Sequence, residues 1–284
     1  MYSHEVKTFG IVIFESLYSN EIKTGTELKD GLLKYKKFQV DEMDIVVIEI
    51  STKKELLDGL IELRRKVEEE FYYPIIQFEI HGYDDGICTN KGECISWSEI
   101  VPLLSEINVL LRNTLLILLG VCKGASIIKY TSLEKRAPFR SLIGSSGDLT
   151  TKQIQEGFHA FYDTFFFSMD ILESTKVLRD KIGSDQIGIM LIEDIFDQIF
   201  DPKRDESNYK RMMKINKEEL LEKYPMLKNV EEVKLNKIAE KILLEIYDAG
   251  KETRSFYLME DLNDEEKQKE MEEFFAAEKR EDKK

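Results

Sequence analysis

Four short apolar runs, at residues 9–14, 45–50, 75–80 and 115–119, punctuate the first half of the chain, with longer helix-like segments between them. Runs this short and this continuously apolar fit strands covered on both faces, as in a parallel sheet. Thr52 followed by Glu55 has the form of a capping box, after which Leu56, Leu60, Leu63 and Val67 recur at helical spacing. Ile100, Leu103, Leu104, Ile107, Leu110 and Leu111 make a second apolar face. Pro102 stands early in it, where a helix best tolerates proline, and leaves its start open. Strand and helix in alternation predict right-handed crossovers and an α/β fold, a mostly parallel central sheet flanked by helices.

A fifth strand is expected at 139–143, followed by a long helix with Ile154, Phe158, Phe161 and Phe165 on one face. Residues 187–192 fit either an edge strand or the start of another helix. Beyond about Phe196 charged, helix-forming sequence takes over, including 218–221 and 233–247. The expected division is an α/β domain over 1–195 and a helical, charged C-terminal extension over 196–284, a place for partner docking. From 261 to 284 there is much charge and little to bury, which reads as an exposed helix or a disordered tail.

Of the 284 residues, 42% are hydrophobic, enough to build a substantial core. The formal net charge of −14 would repel a phosphate backbone, and no basic patch offsets it, so direct nucleic-acid binding is not expected. Residues 1–5 lack the layout of a signal peptide, and His4 there says little. The longest apolar run, 115–121, is too short to span a bilayer, so no membrane partner is expected. Three cysteines, Cys88, Cys94 and Cys122, do not suggest a disulfide framework. The expected setting is a reducing cytoplasm.

Two places break the core pattern. The third run ends in Ile80, His81 and Gly82, and the fourth in Gly120, Val121, Cys122, Lys123 and Gly124. Ligands of open α/β sheets bind at the carboxyl ends of strands, and neighbouring strands lie about 5 Å apart, so His81 and Cys122 could meet there. An imidazole can take the proton of a thiol and later return it to a leaving amine. Gly82 would admit a peptide backbone, and the N–H groups of Gly82 and Cys122 could serve as an oxyanion hole. Lys123 would add positive potential or point to solvent. Each residue alone has a plainer use: a cysteine at a strand end is a small core residue, and His-Gly suits any turn. A zinc site drawing on His81, Cys88, Cys94 and Cys122 competes for the same atoms, though the Cys88 to Cys94 spacing is not that of a zinc knuckle. No Gly-rich phosphate loop follows the first strand, which disfavours a nucleotide sensor. No cofactor and no metal is expected.

These features resemble the caspase-like peptidases, and among them the CHAT proteins related to separase. That family places its His after the third strand and its Cys after the fourth, as with His81 and Cys122. Cys122, Lys123 and Gly124 are similar to the family's Cys-x-Gly, with Gly120 and Val121 where Gln and Ala are usual. Gly86 and Ile87, a hairpin-like Asn90 to Glu93, and Ile95, Ser96 and Trp97 opening a helix resemble the CHAT segment after the His. The stretch 142–150 resembles the separase-like Val-Gly-Asn-Leu-Trp-Asp-Val-Thr, and Phe161 and Tyr162 its Phe-Tyr. Ile80 stands where CHAT members often have Gly, and Gly147 replaces the aromatic, which alters the specificity pocket. The likeness covers roughly residues 5–195.

The resemblance implies a cysteine endopeptidase with Cys122 as nucleophile and His81 as general base and acid. In it Asp148 matches the Asp that binds a basic residue before the scissile bond; capping the next helix is its plainer use. It also implies a protein substrate and a regulatory protein partner, in a prokaryotic defence or regulated-proteolysis system. A catalytically inactive caspase-like interaction scaffold is the alternative. Asp84 and Asp85 could line the cleft, hold calcium as in some clostripain-like relatives, or solvate a loop. His159 reads as structural and Trp97 as an anchor.

Overall fold

The computed structural model describes residues 8–37, 43–183, 185–201 and 206–263. His4 and the tail beyond 263 lie outside them. The chain divides into two compact units, Met1–Leu191 and Ile192–Lys284.

The strands of the first unit are β1 (Thr8–Ser16), β2 (Met43–Glu49), β3 (Tyr72–Tyr83), β4 (Gly86–Cys88), β5 (Cys94–Ser96), β6 (Leu116–Leu119), β7 (Ser141–Ser145) and β8 (Ile187–Leu191). The main sheet runs β2-β1-β3-β6-β7-β8. All neighbours in it are parallel except β7 and β8. The fold is therefore α/β with a mostly parallel, mixed sheet. The fifth expected strand is displaced by two residues: the N–H groups of Arg140 and Ser141 both reach the Leu115 carbonyl before β7 begins pairing. Residues 187–191 resolve as the edge strand. Two helices rather than one connect β7 to β8, which returns the chain to the end it left and makes β8 antiparallel.

The helices are α1 (Thr24–Leu28), continued through a π-helical turn at Lys29–Leu33 into α2 (Lys34–Lys36), then α3 (Lys53–Glu70), α4 (Trp97–Leu110), α5 (Thr151–Ser168) and α6 (Ile171–Ile182). Three of them start at capping boxes: Thr52 with Glu55, Ser96 with Glu99, and Thr150 with Gln153. The Ser96 box starts α4 well ahead of Pro102, which lies inside the helix. Strand alternation divides the core. Val12, Phe14, Ile76 and Phe78 are buried on the α3 side, where Phe14 and Phe78 stack at 5.5 Å and Gly59 of α3 lies against Phe14. Ile11, Ile13, Ile75 and Leu118 pack on the other face beneath Phe158, Phe161 and Tyr162 of α5, with Leu178 of α6. Each fully buried ring or aliphatic side chain there contributes about 1.5–3 kcal/mol.

The order β2-β1-β3 means that the chain leaves β1 to one side and returns to its other side. The switch point, and the crevice it opens, lies between the carboxyl ends of β1 and β3.

In the second unit, α7 (Ile192–Phe200), α8 (Glu206–Lys223) and α9 (Glu232–Tyr257) form a helical group. Phe196 packs on Tyr257 at 5.8 Å, and Asn216 of α8 donates to the Ala239 carbonyl of α9 at 2.6 Å. No helix among the described residues is long and apolar enough to cross a membrane.

Candidate active site

Strands β3 and β6 pair in register from Ile75 opposite Leu116 to Phe78 opposite Leu119. The Gly120 N–H then donates to the Phe78 carbonyl at 2.9 Å. Just beyond it Gly120 lies against the Glu79 carboxyl, and His81 and Cys122 follow, each two residues further along its own segment. All four line one cavity of about 60 Å³. Its other walls come from Leu17, Glu21 and Ile22 in the loop between β1 and α1, from Thr24 at the start of α1, from Leu149 just before α5 and from Ile154 in its first turn.

β3 outlasts its sequence-expected end. Past Ile80 it parts from the main sheet, and His81, Gly82 and Tyr83 pair with β4 instead. β4 and β5 form the hairpin expected around Asn90 to Glu93. That hairpin holds a feature the cysteine count did not suggest: Cys88 and Cys94 face each other across it and are joined as a disulfide. Six residues apart in sequence, they become cross-strand partners only through the hairpin register. Neither then offers a thiolate to zinc, which removes the four-residue zinc set. Disulfides are rare in reducing cytosol, so the cysteines no longer support that compartment.

After β6 the chain turns sharply. Lys123 adopts the left-handed conformation (φ 56°), donates its N–H to the Gly147 carbonyl at 2.9 Å, and opens the 3-10 helix Gly124–Tyr130. The conformation costs a non-glycine residue about 1 kcal/mol. It presents Cys122 at the head of the turn, half-buried. The Lys123 ammonium pairs with Asp84 at 3.2 Å, so neither projects freely. Asp85 accepts from the Tyr130 hydroxyl at 2.8 Å. Both aspartates therefore tie the β3–β4 turn to the segment that follows Cys122.

His81 and Cys122 are each held by another group. The Leu149 N–H donates to Cys122 Sγ at 3.3 Å, with the Leu149 carbonyl at 3.6 Å. His81 Nε2 lies 2.9 Å from Glu21 Oε2, and its ring rests against Tyr18 at 5.1 Å. Burial pushes the Glu21 carboxyl up, but the Tyr18 N–H, His81 and Lys23 outweigh it and hold it below the usual carboxylate range. An ionised Glu21 only accepts hydrogen bonds, so the proton of a neutral His81 sits on Nε2 and Nδ1 carries the lone pair. Glu21 thus fixes the orientation of the imidazole. Glu21 has no recognisable spacing to His81 in sequence, and nothing marked it there.

Glu79 could have been noticed. Gln77 and Glu79 interrupt an apolar strand at period two, on the face that also bears His81. Both are buried. The Tyr162 hydroxyl donates to Gln77 Oε1 at 2.7 Å, Gln77 Nε2 donates to Glu79 Oε1 at 2.5 Å, and Thr24 Oγ1 lies 2.6 Å from Glu79 Oε2. Burial pushes the Glu79 carboxyl up to about 8; hydrogen bonds from Thr24 and Gln77 restrain the rise, and Glu15 adds to it. Glu15 is its register partner on β1 and is itself buried, bound to the Gly25 and Thr26 N–H groups at 2.8 and 3.1 Å.

The remaining expected positions fall as follows. Gly82 lies against Cys122: a Cβ there would stand 2.2 Å from the Cys122 carbonyl oxygen. The close approach it permits is thus to the chain's own backbone. Asp148 is exposed, next in sequence to Leu149, and the cap of α5 is Thr150 rather than Asp148. Trp97 is buried and donates to Ser126 Oγ at 3.1 Å, as an anchor does. His159 is exposed on α5. Among the described residues no three His, Cys, Asp or Glu side chains cluster to hold a metal ion.

No protein-family model and no curated protein sequence matches this chain.

Proposed function

We propose that the chain is a cysteine-type endopeptidase of caspase-like architecture, with Cys122 as nucleophile, His81 as general base and acid, and Glu21 orienting His81. The observation that supports this reading is the single cavity lined by His81 and Cys122 beyond the carboxyl ends of the paired strands β3 and β6, with the Glu21 carboxylate on Nε2 of the imidazole. The thiol is held by the Leu149 backbone. Catalytic hydrogen bonds commonly tighten only with substrate bound.

His81 Nδ1 would take the thiol proton as Sγ attacks the scissile carbonyl carbon. The backbone N–H groups of Gly82 and Cys122 are the proposed donors to the resulting oxyanion. The proton then passes from His81 to the leaving amine as the C–N bond breaks. Water, deprotonated by His81, hydrolyses the thioester and frees Cys122. Cleavage after a basic residue, a regulatory protein partner engaging the C-terminal extension and a place in prokaryotic defence or regulated proteolysis belong to the same reading.

The test is intact-mass labelling of the full chain with an arginine-containing peptidyl acyloxymethyl ketone. Modification at one site in wild type and none in Cys122→Ala is expected. A chain that stays unmodified, alone and with candidate partners, would instead fit the inactive interaction scaffold.

A further inference from the structure

We propose that the Cys88–Cys94 disulfide is a redox switch on the candidate site. A dithiol reductant opens it, the tip of the β4–β5 hairpin loosens, and the loop that brings Glu21 to His81 loses its brace. The effect on Cys122 chemistry rests on the peptidase reading; the coupling of disulfide to loop does not.

The hairpin touches both sides of the His81–Glu21 pair. On one side Cys88 is the register partner of His81 across β3 and β4. On the other, the Asn90 N–H donates to Ser16 Oγ at 2.9 Å, and the Asn90 side-chain amide reaches the Leu17 carbonyl at 3.4 Å. Ser16 ends β1, and Leu17 begins the loop that holds Tyr18, Glu21 and Lys23. Ser16 Oγ donates to the Ile50 carbonyl at 2.5 Å, and Lys23 Nζ donates to the Leu17 carbonyl. Within the loop the Glu21 N–H donates to the Tyr18 carbonyl at 3.0 Å, and the Tyr18 N–H to Glu21 Oε2 at 2.7 Å. A shift of Leu17 is thus passed to the carboxylate that holds His81 Nε2.

The disulfide stands where it governs the tip of the hairpin rather than its base. Ile87 and Ile95 are fully buried register partners and fix the base. The pairing of β4 with β5 ends at the cross-linked residues themselves. Past them the Thr89 N–H donates to the Glu93 carbonyl at 2.9 Å, and the Gly92 N–H to the Thr89 carbonyl at 2.8 Å. The Asn90 bonds and the Lys53 N–H on Glu93, at 2.8 Å, tie the tip to its surroundings. Strands of three residues supply little pairing of their own. Opening the cross-link should therefore raise the population of the loosened tip by about ten-fold or more.

Cys94 is exposed and Cys88 half-buried, so a reductant meets Cys94 Sγ first. A thiolate of the dithiol attacks it, the S–S bond breaks, and Cys88 leaves as a thiolate and takes up a proton. The second thiol of the reductant then displaces Cys94 from the mixed disulfide. Two electrons pass to the protein, which gains two thiols, and the dithiol becomes a disulfide. Cys122 is a free thiol before and after.

Hydrogen exchange of the full chain tests the coupling without catalysis, with the disulfide intact, after reduction by dithiothreitol, and after reoxidation by oxidised glutathione. Reduction should speed exchange by about ten-fold or more at residues 17–23 as well as 88–94, while β1 and β6 stay protected, and reoxidation should reverse it. Cys88→Ser with Cys94→Ser should match the reduced chain and ignore the reductant. Ser16→Ala with Asn90→Ala cuts both bonds from the tip to β1 and its loop, so exchange at 17–23 should be fast in either redox state. With the reductant removed, labelling of Cys122 by the peptidyl ketone should be at least about ten-fold slower in the reduced chain, since misplacements of about 1 Å cost that much or more. A disulfide that resists dithiothreitol in the folded chain, or reduction that leaves 17–23 unchanged, would overturn the proposal. Redox-dependent exchange with no labelling in either state would sink the peptidase reading alone; labelling at one rate in both states would sink the switch alone.

Discussion

The carbonyl oxygen of Cys122 occupies the space in which a side chain at Gly82 would begin, 2.2 Å from the position of a Cβ. The strand that carries His81 and the turn that carries Cys122 are thereby brought into backbone contact. Two elements forty residues apart in sequence become parts of one site. Gly82→Ala must push them apart, because beside the Val121 methyl, also at 2.2 Å, the obstructing Cys122 carbonyl is backbone and cannot swing aside. The expected result is a folded chain whose Cys122 labelling falls by at least about ten-fold, since misplacements of about 1 Å cost catalysis that much or more. Labelling at the wild-type rate would show that the contact does not position the pair.

Glu21→Gln keeps the shape of the side chain but replaces a group that only accepts hydrogen bonds with one that can also donate. His81 is then free to carry its proton on either nitrogen. Labelling by the peptidyl ketone should slow by about ten-fold or more, by analogy with the large losses seen when a triad acid is replaced by its amide. The carboxyl is held below its ordinary range, so its contribution is present above about pH 4.5 and is lost as pH falls through its folded-state value. The rate difference between wild type and variant should therefore narrow under acid conditions. A constant ratio across pH would count against an orienting carboxylate.

Glu79 makes the opposite contribution to stability. Its carboxyl titrates at about 8 in the fold, against an ordinary value of 4.5. Between those values the unfolded chain has lost the proton while the folded chain retains it, so stability falls as pH rises. The slope approaches ~1.4 kcal/mol per pH unit, and the whole window up to about 5 kcal/mol. Glu79→Gln removes this slope. Urea unfolding of the first unit at about pH 5 and 8 should show the variant gaining on wild type at the higher pH. An unchanged pH dependence would mean that Glu79 is ionised in the fold.

Thr150 caps α5 through its hydroxyl, with the Gln153 side chain returning to the Thr150 N–H at 2.9 Å. Its neighbour Leu149 holds Cys122 Sγ. Thr150→Ala should cost about 1 kcal/mol of stability and, through Leu149, alter the reactivity of Cys122 toward iodoacetamide. A loss of stability with unaltered thiol reactivity would place the cap outside the site.

Cys88 stands opposite His81 in the β3–β4 pair and is cross-linked to Cys94. A cross-link closing so short a loop contributes about 2 kcal/mol. Reduction, or the pair Cys88→Ser and Cys94→Ser, should raise hydrogen exchange through residues 81–96 and leave the central strands protected. Exchange that rises evenly over the whole sheet would show that the hairpin is not a separate unit.

Much of the scaffold was legible because it is local. The capping box at Thr52, the helical spacing of Leu56, Leu60, Leu63 and Val67, and the apolar runs of the parallel strands depend on residues within a few positions of one another. They determined the α/β class and put His81 and Cys122 at the ends of adjacent strands. Even Glu79 left a local trace, a second polar residue at period two in a buried strand. What belonged to the tertiary structure is whatever depends on register between distant segments. Glu21 reaches His81 across sixty positions through a loop that no pattern announces. Cys88 meets Cys94 only once the hairpin has set their register. The pocket floor exists because Gly120 leaves the space that Glu79 fills. Periodicity reports which face of its own element a residue occupies, while the partner that face meets is set by packing between elements.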